Sequence, residues 1–245
     1  CLALALLFGI GGASCFNLTM GEGNREKAAY YIGNAVSMLF LCGLALCLIT
    51  QLFLTSLLKF FGAPQDVLPY AQEYVRITAL GFPFLLLTTG GGHLIRADGN
   101  PRMTMICNLT GAIINTVLDA LFVMVFQMGM AGAALATVIG QVISAVIVIC
   151  YLYHFKTVPL EKKHLIVNME YTGKIASIGA ASFFNQLAMM VVQIVLNNSL
   201  KHYGALSIYG EAIPIACAGI VMKVNQVFFS IVIGIGQGSQ PIESF

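Results

Sequence analysis

The sequence predicts an all-α integral membrane protein, a polytopic helical bundle. Composition is the first reason. The chain of 245 residues is 58% hydrophobic and 9% charged, with a mean hydropathy of +0.88. Soluble domains carry about 25% charged residues, which this chain lacks. Run length is the second reason. Its apolar runs reach roughly 20 residues or more, whereas a membrane barrel alternates in runs of about 10. The third is the sidedness of charge. Arg25, Lys27, Arg96, Arg102, Lys156, Lys162, Lys163 and Lys174 fall in alternate connections, against Lys59, Arg76 and Lys201 in the others. Basic residues favour the cytoplasmic side, so the richer connections are cytoplasmic.

The apolar segments lie near 1–20, 30–58, 70–95, 102–126, 131–153, 172–200 and 208–235. The polar turn G-E-G-N-R-E-K ends the first of these and R-A-D-G-N-P-R ends the third, while Q-M-G-M joins the fourth tightly to the fifth. His154–Lys174 is the one long polar connection, and it divides the chain into an N-terminal lobe at 1–154, a cytoplasmic linker at 155–171 and the start of a second lobe at 172–245. Cys1 opens inside an apolar run with no initiator Met, so the sequence reads as a window from a longer chain. Nine tyrosines lie near segment ends and, with Trp absent, are assigned to the interfacial belt. The seven cysteines lie in or beside apolar runs without C-x-x-C spacing and read as small core residues. A net charge of +2 argues against a nucleic-acid partner.

Two stretches nearly repeat: G-I-G-G-A-S at Gly9–Ser14 and G-I-G-Q-G-S at Gly234–Ser239. Each ends a segment heading toward the cytoplasm, and six segments separate them. An even offset preserves direction, which is the mark of parallel repeats about an axis along the membrane normal.

Ionisable residues inside a membrane are costly and by default functional. Asp119 is the clearest, in N-T-V-L-D-A-L-F-V, with Asn115 one helical turn before it on the same face. At about 1.5 Å per residue, Asp119 lies roughly 13 Å from the outer end of its segment and Thr137 of the next segment roughly 9 Å. A carboxylate, a carboxamide oxygen and a hydroxyl suit a hard cation, Na⁺, or a proton. Asp119, Asn115 and Thr137 are therefore the candidate cation site. Lys223, Gln186 and Gln193 are candidates for a substrate cavity; Lys223 has Glu211 as a candidate partner. His93 is placed at the inner interface beside Arg96. Membrane enzymes are excluded by the absence of H-E-x-x-H, G-x-S-x-G or paired intramembrane carboxylates.

Five motifs taken in order resemble the MATE (multidrug and toxic compound extrusion) family, prokaryotic branch. They are the Gly11–Ala28 stretch with G-E-G-N-R-E-K-A, I-R-A-D-G-N-P-R at Ile95–Arg102, N-T-V-L-D-A-L-F-V at Asn115–Val123, G-M-A-G-A-A-L-A-T-V-I-G-Q at Gly129–Gln141, and G-I-G-Q-G-S-Q-P-I at Gly234–Ile242. The resemblance implies a twelve-helix protein of two six-helix lobes, of which this chain spans about helix 2 to helix 8. It implies a multi-pass protein of the cell membrane, a monomer without a cofactor, that exchanges amphipathic, cationic drugs against Na⁺ or H⁺ among membrane lipids. It also implies that Asn115, Asp119 and Thr137 belong to a cation site in the N-terminal lobe. The family's helix-one Asp lies outside this window, and Gly92 stands where relatives often have Asn. A lipid-linked oligosaccharide flippase of related architecture is the alternative; its cavity needs several basic residues, where this chain offers Lys223. The isolated window is expected not to transport.

Overall fold

The computed structural model describes residues 1–60, 68–158, 160–205 and 212–243. Among these, every regular element is helical. The order is α1 (Leu2–Gly21), α2 (Arg25–Leu52), α3 (Leu54–Phe60), α4 (Leu68–Thr78), a 3₁₀ turn (Ala79–Gly81), α5 (Phe82–Ala97), α6 (Pro101–Asp119), a π turn (Ala120–Val125), α7 (Gly129–Tyr153), a 3₁₀ turn (Lys162–Leu165), α8 (Met169–Ala205) and α9 (Ala212–Glu243). Seven helical stretches among the described residues are long and apolar enough to cross a membrane. They match the seven expected segments, and the chain is a multi-pass membrane protein.

Two turns expected on the cytoplasmic side use one device. Gly23 takes φ +78° and Gly99 φ +77°, a region that other residues enter at a cost. An asparagine follows each. Asn24 accepts from the Lys27 N–H at 3.1 Å and Asn100 from the Met103 N–H at 3.3 Å, capping α2 and α6. Pro101 then opens α6 where its missing N–H costs nothing.

The third span is not the single helix expected over 70–95. Pro83 lacks an N–H, so the Ala79 carbonyl loses its partner four residues on. The backbone tightens instead, and the Phe82 N–H bonds the Ala79 carbonyl in a 3₁₀ turn between α4 and α5. The expected 30–58 segment also divides, at Phe53, into α2 and α3.

Contact clustering gives two units, Cys1–Ala188 and Met189–Phe245. In the first, α1, α2 and α5 pack on one another, α4 and α5 pack on α7, and α6 pairs with α7. The Gly9–Ser14 motif sits at the hub. A Cβ on Gly9 would lie 2.7 Å from the Gly90 Cα on α5. One on Gly12 would lie 2.6 Å from the Ala35 Cβ on α2, and one on Gly11 would strike the Ile175 carbonyl on α8. Three glycines thus admit three different helices, the close approach that small residues permit in membranes. In the second unit, a Cβ on Gly234 would meet nothing within 4 Å.

The linker is held to the first unit from both ends. Asp98 accepts from the Tyr151 hydroxyl at 2.7 Å, the Lys156 N–H at 3.2 Å and the Thr157 N–H at 3.1 Å, and also from the Thr157 hydroxyl. Further along, Asn34, fully buried on α2, accepts from the Asn168 N–H at 2.7 Å and donates to the His164 carbonyl at 3.4 Å. Ser37 donates to the Leu165 carbonyl at 2.6 Å. Here the tyrosine-belt expectation meets a correction. Tyr31 and Tyr151 are buried, and Tyr30 stacks on Tyr171 at 5.3 Å. These four pack through their rings against one another, His164 and Phe155, and Tyr151 bonds the Asp98 carboxylate, while Tyr70, Tyr153 and Tyr203 are exposed. The cysteine expectation is likewise half right. Cys15 and Cys107 are buried, but Cys1, Cys150 and Cys217 are exposed.

Candidate cation site

The site is built on the α6–α7 crossing. A Cβ on Gly140 of α7 would lie 2.9 Å from the Gly111 carbonyl and 3.1 Å from the Asn115 Cβ, and a Cβ on Gly111 would strike the Ser144 hydroxyl. Ser144 uses that hydroxyl to donate to the Cys107 carbonyl across the seam at 2.9 Å. Paired glycines therefore let the two backbones approach until polar side chains can bond between them.

One turn further out, the Asn115 amide nitrogen donates to the Thr137 hydroxyl at 3.3 Å. Thr137 in turn donates to the Ala133 carbonyl at 2.9 Å. The crossing thus brings together two of the three expected residues, and leaves the Asn115 carbonyl oxygen outside that bond. Asp119 follows on the same α6 face, at the last residue before the π turn. Its Oδ1 is buried and has no hydrogen-bond partner. A buried acceptor without a donor costs about 1–3 kcal/mol, and more if charged. A cation or a proton at Asp119 removes that cost, so the oxygen set fits a hard cation. Among the described residues no three His, Cys, Asp or Glu side chains converge as a metal site, which leaves one carboxylate with neutral oxygens.

The π turn at Ala120–Val125 adds a local irregularity beside Asp119. There the Phe126 N–H bonds the Leu121 carbonyl at 3.0 Å and the Met128 N–H the Phe122 carbonyl at 3.0 Å. Such turns occur often at functional positions in helices. Gln127, at φ +52°, and Gly129, at φ +58°, then close the tight connection to α7.

Gly92, the departure from the family pattern named above, is tightly surrounded. A Cβ there would lie 3.0 Å from the Thr104 Cγ2. The Gly92 carbonyl already accepts from the Thr104 hydroxyl at 3.1 Å and the Arg96 Nε–H at 3.2 Å. Thr104 fills the space a longer side chain would need.

The cavity candidates belong to helices other than α6 and α7. Gln186 is half-buried on α8 within the first unit. Gln193 is exposed in the second unit and donates to the Asn197 side-chain Oδ1 at 3.2 Å. Lys223 is exposed on α9; its candidate partner Glu211 lies outside the described residues. Sequence reasoning gave no role to Gln141. It lies one turn along α7 from Thr137, and its Oε1 is buried without a partner. Its position in the G-M-A-G-A-A-L-A-T-V-I-G-Q motif, as a lone carboxamide in an apolar run, was the available signal.

Known proteins share this bundle. The MatE family model matches residues 1–121. The multidrug export protein MepA of Staphylococcus aureus is 27% identical over all 245 residues, which is 100% of this chain and 53% of that protein. MepA of Staphylococcus haemolyticus is also 27% identical, with the same coverage. The chain thus spans about half the length of the curated relatives it matches. An outward-facing structure of a multidrug resistance MATE family transporter of the MOP superfamily superposes with a TM-score of 0.84, over 96% of this chain and 51% of that one, at 21% identity. The relatives are transporters rather than enzymes. Seven apolar spans and this fold make the protein a multi-pass protein of the cell membrane. The family model matched over residues 1–121, the likeness to MepA along this chain and the shared bundle lead to one conclusion: the chain resembles MATE family transporters in sequence and has their fold.

Proposed function

We propose that this chain supplies the N-terminal lobe (1–154), the linker (155–171) and the start of the C-terminal lobe (172–245) of a secondary multidrug exporter. The exporter exchanges amphipathic, cationic drugs for Na⁺ or H⁺. The observation that carries the reading is the buried, partnerless Oδ1 of Asp119 beside the Asn115–Thr137 bond. An incoming cation binds Asp119, with Asn115 and Thr137 completing its shell. Binding favours one arrangement of the lobes and drug the other, and the cation shifts that balance only by its differential affinity for the two. MepA, a multidrug export protein by name, supports the substrate class.

The test is ethidium efflux from proteoliposomes holding the full-length protein, native against Asp119→Asn, under a Na⁺ gradient and separately a proton gradient. Native protein exports dye under one gradient, and that gradient names the ion. The Asn variant is isosteric but lacks the charge, and it loses gradient-driven export. Equal export by both proteins would make Asp119 a structural residue and sink the reading.

A further inference from the structure

Two buried side-chain oxygens, one on α6 and one on α7, have no partner: Oδ1 of Asp119 and Oε1 of Gln141. The first belongs to the cation site. The second has no assigned role, yet its position is specific. Thr137 and Gln141 are four residues apart on α7, so their side chains share one helix face. α7 enters at the outer side, so Gln141 lies one turn, about 6 Å, deeper than Thr137. The Gln141 Oε1 is directed at Gly81, in the 3₁₀ break of the third span, where a Cβ on Gly81 would strike it. Glycine at that position leaves room for the carboxamide tip between α7 and the break. Beside it, Gly140 brings Asn115 against the same stretch of α7.

The chemistry of the two oxygens differs. A carboxylate can be satisfied by a proton. A carboxamide oxygen does not take up a proton in the physiological range and needs a donor or a cation. A bare proton on Asp119 therefore leaves Gln141 as costly as before. A metal cation that moved one turn inward from Asn115 and Thr137 would come level with the Gln141 oxygen and could satisfy it.

We propose that Gln141 is a specificity-determining residue of the cation path: its Oε1 forms an inner oxygen station, one turn below Thr137, that favours Na⁺ over H⁺. This rests on the reading of Asp119 as the cation residue. It adds a residue that the Asp119, Asn115 and Thr137 set omits, and it commits the path to a metal cation.

The experiment measures thermal stabilisation of the purified full-length protein, titrated with NaCl at fixed ionic strength and, in a separate series, with pH. It compares native protein with Gln141→Met, Gln141→Leu and Asp119→Asn. Met keeps the length and apolar bulk of Gln while removing its oxygen, so it guards against a Leu variant that fails to fold. Native protein is stabilised by Na⁺, and Gln141→Met raises the Na⁺ midpoint about 10- to 100-fold, the scale on which supporting ligands act. The midpoint of the pH series stays in place in Gln141→Met and is lost in Asp119→Asn. A Gln141→Met midpoint within about twofold of native overturns the proposal while leaving Asp119 in place. Native protein that responds to pH but not to Na⁺ overturns it too. Asp119→Asn that keeps both responses instead overturns the reading of Asp119 itself, so the two failures are distinguishable.

Discussion

At the scale of single residues, glycine and asparagine decide most of what is seen. Gly11 and Gly12 admit α8 and α2 so closely that any side chain must displace backbone or a buried methyl. Gly11→Ala is expected to lower stability by about 1–3 kcal/mol, the usual cost of overpacking. Gly173→Ala is the control. Gly173 is exposed on α8 with open space around it, so alanine should raise stability by up to about 1 kcal/mol through helix propensity. Thermal unfolding in one detergent checks both, and equal effects would remove the packing explanation. Asp119 and Asn115 were legible in the sequence because a charge in an apolar run is conspicuous. Gln141 was not, because a neutral amide in such a run has many structural uses, and only its lack of a partner singles it out.

At the scale of elements, the spans were legible and their interruptions were not. Length and hydropathy give seven crossings without reference to packing. The π turn after Asp119 has no comparable signature, since Ala120–Val125 reads as ordinary apolar helix. Pro83 did mark the break in the third span, but a proline in the first turn of α5 and one inside a long helix look alike in sequence. The linker is the other surprise. A polar stretch expected to be a simple cytoplasmic connection is seated on α2 by Asn34 and on the α5–α6 turn by Asp98. Gly33 is part of the seat, because a Cβ there would strike the His164 carbonyl. In the exposed part of the linker, Lys163 pairs with Glu161 at 3.0 Å and holds that carboxyl below its usual range. Asn34→Leu should strand the Asn168 N–H and the His164 carbonyl, at about 1–3 kcal/mol for each buried group left unpaired. Limited trypsin digestion then cuts the variant at Lys156 or Lys163 faster than native protein. Unchanged cleavage would mean that the linker is held by other contacts.

At the scale of the whole molecule, the near-repeat of Gly9–Ser14 at Gly234–Ser239 gains a physical meaning. The first copy is where α2, α5 and α8 converge on α1. If the two lobes are parallel repeats, the second copy has the same task in the second lobe. In the full-length protein, Gly234→Leu should then lower the unfolding temperature about as much as Gly9→Leu does. A neutral Gly234→Leu would confine the hub to the first lobe.

The central claim is that a cation at Asp119 and a drug in the transporter oppose one another. Coupling between two ligands is reciprocal, so the cation must weaken drug binding by the same factor that drug weakens cation binding. The direct measurement is ethidium affinity, read by fluorescence polarisation on the purified full-length protein, across a Na⁺ series and a pH series, for native protein and Asp119→Asn. The account predicts that native affinity falls as Na⁺ rises and that Asp119→Asn binds ethidium with an affinity independent of Na⁺. An Asp119→Asn protein whose ethidium affinity still falls with Na⁺ as steeply as the native one would contradict it.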